Sequence, residues 1–535
     1  MTHPRRLDTA RALVASAPDG FLELVLDPDP TGPATGLRTC IRAWTDIPAT
    51  STHHLVLEDD AQLPAGFHAA VEQVVAAAPD VAIVLYNNWS SRNGAVLRLA
   101  ALCGARWAEP VAEYTANVAL VLPAPVAAGF GDYARAHGGT WPDDVILARY
   151  LAASGVRTLL AVPNLVQHGA HPSISGNDKH GLRQSACHGS GAPGAAPPPT
   201  NNQLFISGAV PFFKFGVAQC STRTASGWLT VSVERAARAI GVDPAVCPDL
   251  PTISHVSRRK VEALWRTGYA LGVLAARHGL LPNWADDPLV ARAIATLGPG
   301  GLCMELTAGQ LHDIAAPLDA LARAAVTAGT RQAEFSYPGR TVTVAGADCA
   351  LRRVLAADLT DRGHHVQFDG LADVRVDIEA GADRWTGPVL RCTTPTGTTA
   401  LRAGVPYGPE LREPPVLNEL VLRSLLRVPM RAETDMPDRV RFAHVWDIAG
   451  ALAHVIENPV PAGTFDIGHA DPVGPQELAK VIGQHVRDTP VQITRTSSAT
   501  ATTAEMVPLP GLRPGLDLAE GIRTVAQWLA YETDQ

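Results

Sequence analysis

Two hydrophobic periodicities alternate along the first third of the chain. Helix-spaced apolar positions run through Leu7–Ala17, Ala65–Ala78 and Asp143–Ala153. Between them lie short apolar runs at Leu22–Leu26, Leu55–Leu57, Val81–Tyr86, Asn117–Leu122 and Leu159–Val162. Short continuous runs of this kind read as buried strands, and their alternation with helices predicts a mostly parallel sheet flanked by helices. A Pro/Gly/Ala stretch, HGSGAPGAAPPPT from His188 to Thr200, reads as a flexible linker. From about Val231 to Ala328 the spacing is helical, with Val261, Leu264, Trp265, Tyr269 and Val273 on one face and Leu318–Ala328 as a second run. A new unit opens at Tyr337: the β-rich Thr341–Ala345, then Gly346, a helix to Arg362, Gly363 as its stop, and a second strand at His365–Asp369. The pattern predicts a multidomain α/β protein divided as 1–182, linker 183–202, mainly helical 203–335, and 336–535.

Composition narrows the classes. At 535 residues the chain exceeds one core. Forty-four Lys and Arg against 52 Asp and Glu give a net charge of −8, and no basic cluster is built for phosphate backbones, which excludes nucleic acid as the expected partner. The eight cysteines are scattered with no C-x-x-C pair, against a zinc ribbon or disulfide framework. No apolar run reaches about 18 residues, and the opening THPRRLD lacks the apolar core of a signal peptide. A soluble, cytoplasmic protein without a membrane span is expected.

Three groups carry candidate chemistry. Leu55-Val56-Leu57 ends abruptly in Glu58-Asp59-Asp60. Strand ends in α/β sheets are where ligands bind, and clustered carboxylates repel unless a cation or hydrogen bonds compensate them. A hard divalent cation held by oxygen ligands against a substrate diphosphate needs this arrangement. The competing reading is that Asp59 or Asp60 caps the helix that follows. Thr140-Trp141-Pro142-Asp143-Asp144 opens a helix, where Pro and acids are structurally favourable. Two acids beside a Trp also suit an acceptor site, one carboxylate removing a proton from a hydroxyl and the indole stacking on a ring. Val166-Gln167-His168-Gly169-Ala170-His171 follows a strand, and an imidazole there can complete a metal's coordination.

The order LVLEDD…PAGF, VALVLP, WPDDVILARYL and VPNLVQHGAHPSIS resembles GT-A fold glycosyltransferases of the lipooligosaccharide and procollagen galactosyltransferase family over residues 1–180. The resemblance implies that Asp60, with Asp59 or Glu58, supplies D-x-D-type metal and diphosphate ligands, and that His168 is a further metal ligand. It makes Asp143 or Asp144 the acceptor-side base, and places His3, Arg5, Arg6, Asp27 and Asp29 at the nucleotide. Mn²⁺ or Mg²⁺, a nucleotide-sugar donor, a small-molecule or glycan acceptor and an inverting transfer follow. The acids read E-D-D and not a strict D-x-D, so which two touch the metal stays open.

From Thr341 onward, TVTVAGADCALRRVLAADLTDRGHHVQFDG, RFAHVWDIAGALAHVIENP and GTFDIGHADPVGPQELAKVIG resemble the extended short-chain dehydrogenase/reductases, the nucleotide-sugar epimerases and dehydratases. The dinucleotide loop needs glycines for close backbone approach to the pyrophosphate. Gly346 is present, but Cys349 and Arg352 stand where the second and third belong, and no Tyr-x-x-x-Lys occurs. Asp369 remains available for a ribose. A degenerate, redox-inactive domain is expected, with NAD(P) not expected, and such families make a homodimer a candidate. The leading expectation is thus a metal-dependent glycosyltransferase. The alternatives are an NAD-dependent nucleotide-sugar epimerase or reductase, or a non-catalytic assembly protein.

Overall fold

The computed structural model describes residues 1–535 apart from 175, 177, 190–196, 244–245, 338, 497–504, 514 and 534–535. The fold is mixed α/β and forms two units: residues 1–228 with 247–332, and residues 229–246 with 333–535. Among the described residues no helix is long and apolar enough to cross a membrane.

In the first unit the strands are β1 (His53–Leu57), β2 (Ala61–Gln62), β3 (Ala82–Val84), β4 (Trp107–Ala108), β5 (Ala119–Pro123), β6 (Thr158–Ala161), β7 (Gln167–His168) and β8 (Gln203–Leu204). The main sheet runs β1-β5-β3-β6-β4-β8. Its centre is apolar on both faces because helices cover both: Ile83, Leu120, Leu122 and Leu159 are fully buried. Among the described residues of this sheet, parallel pairing is confined to β3 with β6 and β4 with β8; β5 runs antiparallel to both β1 and β3. The expected strand Leu22–Leu26 is not a strand. Leu26 only bridges Thr2, with Thr2 N–H donating to Val25 O and Asp27 N–H to Thr2 O, both at 2.9 Å. The prolines and acids from Asp27 to Pro33 leave no apolar run to extend the pairing.

The segment read as helical from 203 opens with strands. β9 (Ala209–Lys214) and β10 (Val217–Thr224) form an antiparallel hairpin whose two-residue turn is Phe215-Gly216, with φ of 59° and 71°. Positive φ at both turn residues is the geometry whose twist matches the strands. Beyond β11 (Gly227–Ser232), in which the chain passes between the units, the helices do appear: Arg258–His278 and Ala315–Thr330. These two cross with glycines at the contact. A Cβ at Gly272 would lie 2.2 Å from Val326 O, and one at Gly329 would lie 2.1 Å from Tyr269 O.

The second unit is built on β12 (Thr341–Gly346), β13 (His365–Gln367), β14 (Val374–Glu379), β15 (Val389–Thr394), β16 (Gly397–Ala403), β17 (Val405–Tyr407), β18 (Met430–Thr434), β19 (Phe442–His444), β20 (Gly463–Ile467) and β21 (Val491–Arg495). The sheet order is β13-β12-β14-β15-β16-β20. β12 pairs in parallel with β13 and β14, and the helix Ala350–Arg362 makes the crossover, the opening of a Rossmann unit. β14, β15 and β16 then pair antiparallel. Glu379 and Val389 are too close in sequence for the helical crossover that parallel neighbours require.

Candidate metal centre

The first unit gathers its chemistry at the end of β1. Glu58 N–H continues the ladder to Val118 O at 3.1 Å, after which the chain turns. β2 then pairs with β7, setting Ala61 opposite His168, and Gly169 N–H donates to Asp60 O at 2.7 Å. Two residue pairs thereby bring a carboxylate and an imidazole together across a long stretch of chain. One ligand atom each from Glu58, Asp60 and His168 lies within 4.8 Å of the others.

Hydrogen bonds fix what these atoms present. His168 Nδ1 lies 2.6 Å from Gly169 O, so Nδ1 carries the proton and Nε2 presents a lone pair. That Nε2 is 3.4 Å from Asp60 Oδ2, and neither Nε2 nor Asp60 Oδ1 has a hydrogen-bond partner among the described residues. Asp60 is 4% exposed and His168 7%. Buried acceptors facing one another are costly unless a cation sits between them. Burial holds the imidazole below its ordinary pKa. Burial first, then Asp60 and Asp143, push Glu58 well above the usual carboxylate range.

Asp59 has a different role from its neighbours. Its oxygens accept from Thr2 Oγ1 at 2.5 Å and Arg6 Nη1 at 2.9 Å, and the same Nη1 donates to Asp60 Oδ2 at 3.0 Å. Arg6 also donates to Pro172 O. Arg6 is therefore tied into the acid cluster, and Glu58 stands in the three-residue cluster where the sequence left Asp59 or Glu58 open.

The remaining expected residues divide. Asp143 accepts from Asn117 Nδ2 at 2.8 Å, and its charge acts on Glu58, so it borders the centre. Asp144 Oδ1 accepts from Val145 N–H at the start of the helix Asp143–Ser154. Trp141 is nearly buried, and Arg149 covers its ring at 4.4 Å, which takes one face from any sugar. His3 caps a helical turn, accepting from Arg5 N–H at 3.1 Å. Asp27 is tied by Arg38 through two bonds of 2.6 and 2.7 Å, and Asp29 accepts from Thr31 Oγ1 at 3.3 Å. Among the described residues neither carboxylate bonds to a residue of the cluster, although Asp27 N–H donates to Thr2 O and Thr2 Oγ1 to Asp59. Sequence reading passed over Tyr86, whose ring lies 5.9 Å from that of His168, and Arg183, whose backbone O accepts the Tyr86 hydroxyl at 2.6 Å. Arg183 falls in the stretch read as linker, where composition hides it.

In the second unit Gly346 has φ +124°, and a Cβ there would meet Ile378 O at 2.7 Å, so only glycine suits it. Arg352 Nε donates to Val344 O at 3.0 Å, and its guanidinium lies 4.4 Å over the Phe368 ring. Gly346 fits a dinucleotide loop; the Cys349 and Arg352 side chains do not. Asp369 is exposed.

No protein-family model matches the chain, and no curated protein matches it. Solved structures do. One is the Thermus thermophilus UDP-glucose 4-epimerase complex with NAD, at 23% identity over 24% of this chain and 45% of that one, TM-score 0.20. A second is an NAD-dependent NDP-hexosamine 5,6-dehydratase of tunicamycin biosynthesis, at 20% over 25% and 45%, TM-score 0.21. A third is the Bacillus anthracis dTDP-glucose 4,6-dehydratase in complex with NAD, at 15% over 24% and 43%, TM-score 0.21. The matches span less than half of each of those proteins. They correct two expectations, the metal-dependent glycosyltransferase and the exclusion of NAD(P), because the proteins matched are NAD-dependent epimerases and dehydratases. The physical reason is that lost glycines alter one loop, whereas the β-α-β frame around it persists. At these TM-scores no activity is carried over to this chain.

Proposed function

We propose that the first unit is the cation-dependent substrate site of an enzyme of nucleotide-sugar metabolism. Glu58, Asp60 and His168 are the ligands of a divalent cation, which when bound neutralises the diphosphate of a nucleotide sugar. One observation carries this reading: Asp60 Oδ1 and His168 Nε2 are buried and unpartnered within a cluster whose ligand atoms span 4.8 Å. The charge count agrees. Glu58, Asp59, Asp60 and Asp143 bring four carboxylates, against the guanidiniums of Arg6 and Arg183 and the amino group of Met1. Arg6 orients Asp60, Gly169 O orients the imidazole, and Asn117 holds the Asp143 carboxylate beside Glu58.

Calorimetric titration with Mn²⁺ tests the reading. One site is expected in the wild-type chain, weakened at least about tenfold in Asp60→Asn and in His168→Ala, with circular dichroism unchanged. A panel of UDP-, GDP- and dTDP-sugars is expected to bind only with the cation present. Undiminished Mn²⁺ affinity in both variants sinks the reading.

A second reading is favoured by the parallel pairing of β12 with β13 and β14 around Gly346. In it the second unit takes NAD and the chain is an NAD-dependent nucleotide-sugar epimerase or reductase. NAD⁺ binding that falls in Asp369→Ala and ignores Asp60→Asn would favour it.

A further inference from the structure

The segment 182–185 has no regular secondary structure, yet it is fixed on two sides. Trp89 Nε1 donates to Leu182 O at 2.8 Å, Tyr86 Oη to Arg183 O at 2.6 Å, and Trp89 N–H to Gln184 O at 2.7 Å. Ser185 N–H donates to the side chain of Gln167 at 2.6 Å, and Ser185 Oγ to Asn164 Oδ1 at 3.0 Å. Gln167 is the neighbour of His168, and Tyr86 packs on the His168 ring. The backbone of Arg183 is thus anchored alongside the cation cluster by groups that belong to its wall.

The Arg183 side chain is half-buried. Its charge acts on Glu58, His168 and Tyr86, so it lies within electrostatic reach of the centre. Among the described residues it makes no ion pair with any of the carboxylates there. Arg6, the other guanidinium, is already bonded to Asp59, Asp60 and Pro172 O. A fixed backbone carrying an uncommitted guanidinium beside a cation site matches what an incoming anion needs. The cation takes one set of phosphate oxygens, and the planar fork of an arginine takes another in bidentate fashion.

We infer that Arg183 is the anion contact of this site and receives the diphosphate of the ligand across from Glu58, Asp60 and His168. The inference rests on the cation reading of the same site and adds the residue that makes it selective for a diphosphate over a neutral sugar. No covalent step is involved. Arg183 acts by charge and by orientation of the phosphate oxygens.

The test uses the full chain with Arg183→Ala and Arg183→Lys, titrated first with Mn²⁺ and then, at saturating Mn²⁺, with UDP and with inorganic pyrophosphate. In Arg183→Ala the affinity for both anions is expected to fall at least about tenfold, with partial recovery in Arg183→Lys. Mn²⁺ affinity is expected to stay level or to tighten, because a repelling positive charge has been removed. A merely structural Arg183 would loosen the cluster and weaken Mn²⁺ instead. Unchanged UDP and pyrophosphate affinity in Arg183→Ala, or a wild-type chain that binds Mn²⁺ but neither anion, overturns the inference alone. A wild-type chain that binds no Mn²⁺ overturns the cation reading and this inference together.

Discussion

Gly169 shows how closely the centre is fitted. A Cβ at this position would lie 3.1 Å from Asp60 O and 3.2 Å from the His171 ring. Gly169→Ala is therefore expected to push β2 from β7 by a few tenths of an ångström. The chain should stay folded, while Mn²⁺ affinity falls several-fold in the titration that serves the wild type. Equal affinity would mean that the cluster tolerates movement. Much at this scale was legible in the sequence: two of the three acids after an apolar strand and a histidine after another are the residues whose ligand atoms the structure brings together. What was not legible is which acid turns away. Thr2 and Arg6 claim Asp59, and nothing in E-D-D announces partners more than fifty residues distant. Arg183 escaped for a related reason. Its backbone is anchored by a hydrogen bond from Tyr86, and backbone contacts leave no mark on residue type.

At the scale of elements, continuous apolar runs read well and mixed runs did not. Ala82–Val84 and Thr341–Gly346 form strands where their patterns put them. The β9–β10 hairpin was hidden because its turn uses Phe215, a residue that rarely takes positive φ, in the place where Asn or Gly would signal it. The helices Arg258–His278 and Ala315–Thr330 were visible from spacing, but their close crossing was not, since it depends on glycines that lower helix propensity. Gly272→Ala tests that crossing. With Val326 O at 2.2 Å from the added Cβ, the helices must separate, at a cost of roughly 1–3 kcal/mol from overpacking. A drop of several degrees in the melting temperature is expected, and a rise would show that the lost glycine entropy outweighs the clash.

For the whole molecule, the order of patterns along the chain suggested successive domains, whereas 229–246 belongs with 333–535 and 247–332 with the start of the chain. A local pattern carries no information on which distant segment an element packs against. Acid stability is likewise set by tertiary burial. In the second unit, burial lowers His444 to about 3 and His469 to about 4. His444 Nδ1 accepts from Trp446 N–H and its Nε2 donates to Thr524, so a second proton has nowhere to go. The unfolded chain takes up those protons near pH 6.5 and the folded unit does not. Stability is thus full above about pH 6.5 and falls as pH drops toward 4, by an amount on the order of a few kcal/mol. Calorimetric melting at pH 7.5, 6 and 5 should show the fall, with a shallower slope in His444→Gln. An unchanged slope in that variant would clear His444 of responsibility.

The short β2–β7 pairing has one more consequence. Asp60 and His168 are 168 − 60 = 108 residues apart, and two residue pairs hold them together. A bound cation there acts as a removable cross-link that closes a long loop. By loop-closure arithmetic such a clip opposes an entropy that grows only slowly with length, so its worth is set by its affinity and concentration. Chelation with EDTA should therefore speed hydrogen exchange at both ends of that loop, residues 53–62 and 163–170, and leave residues 430–467 as they were.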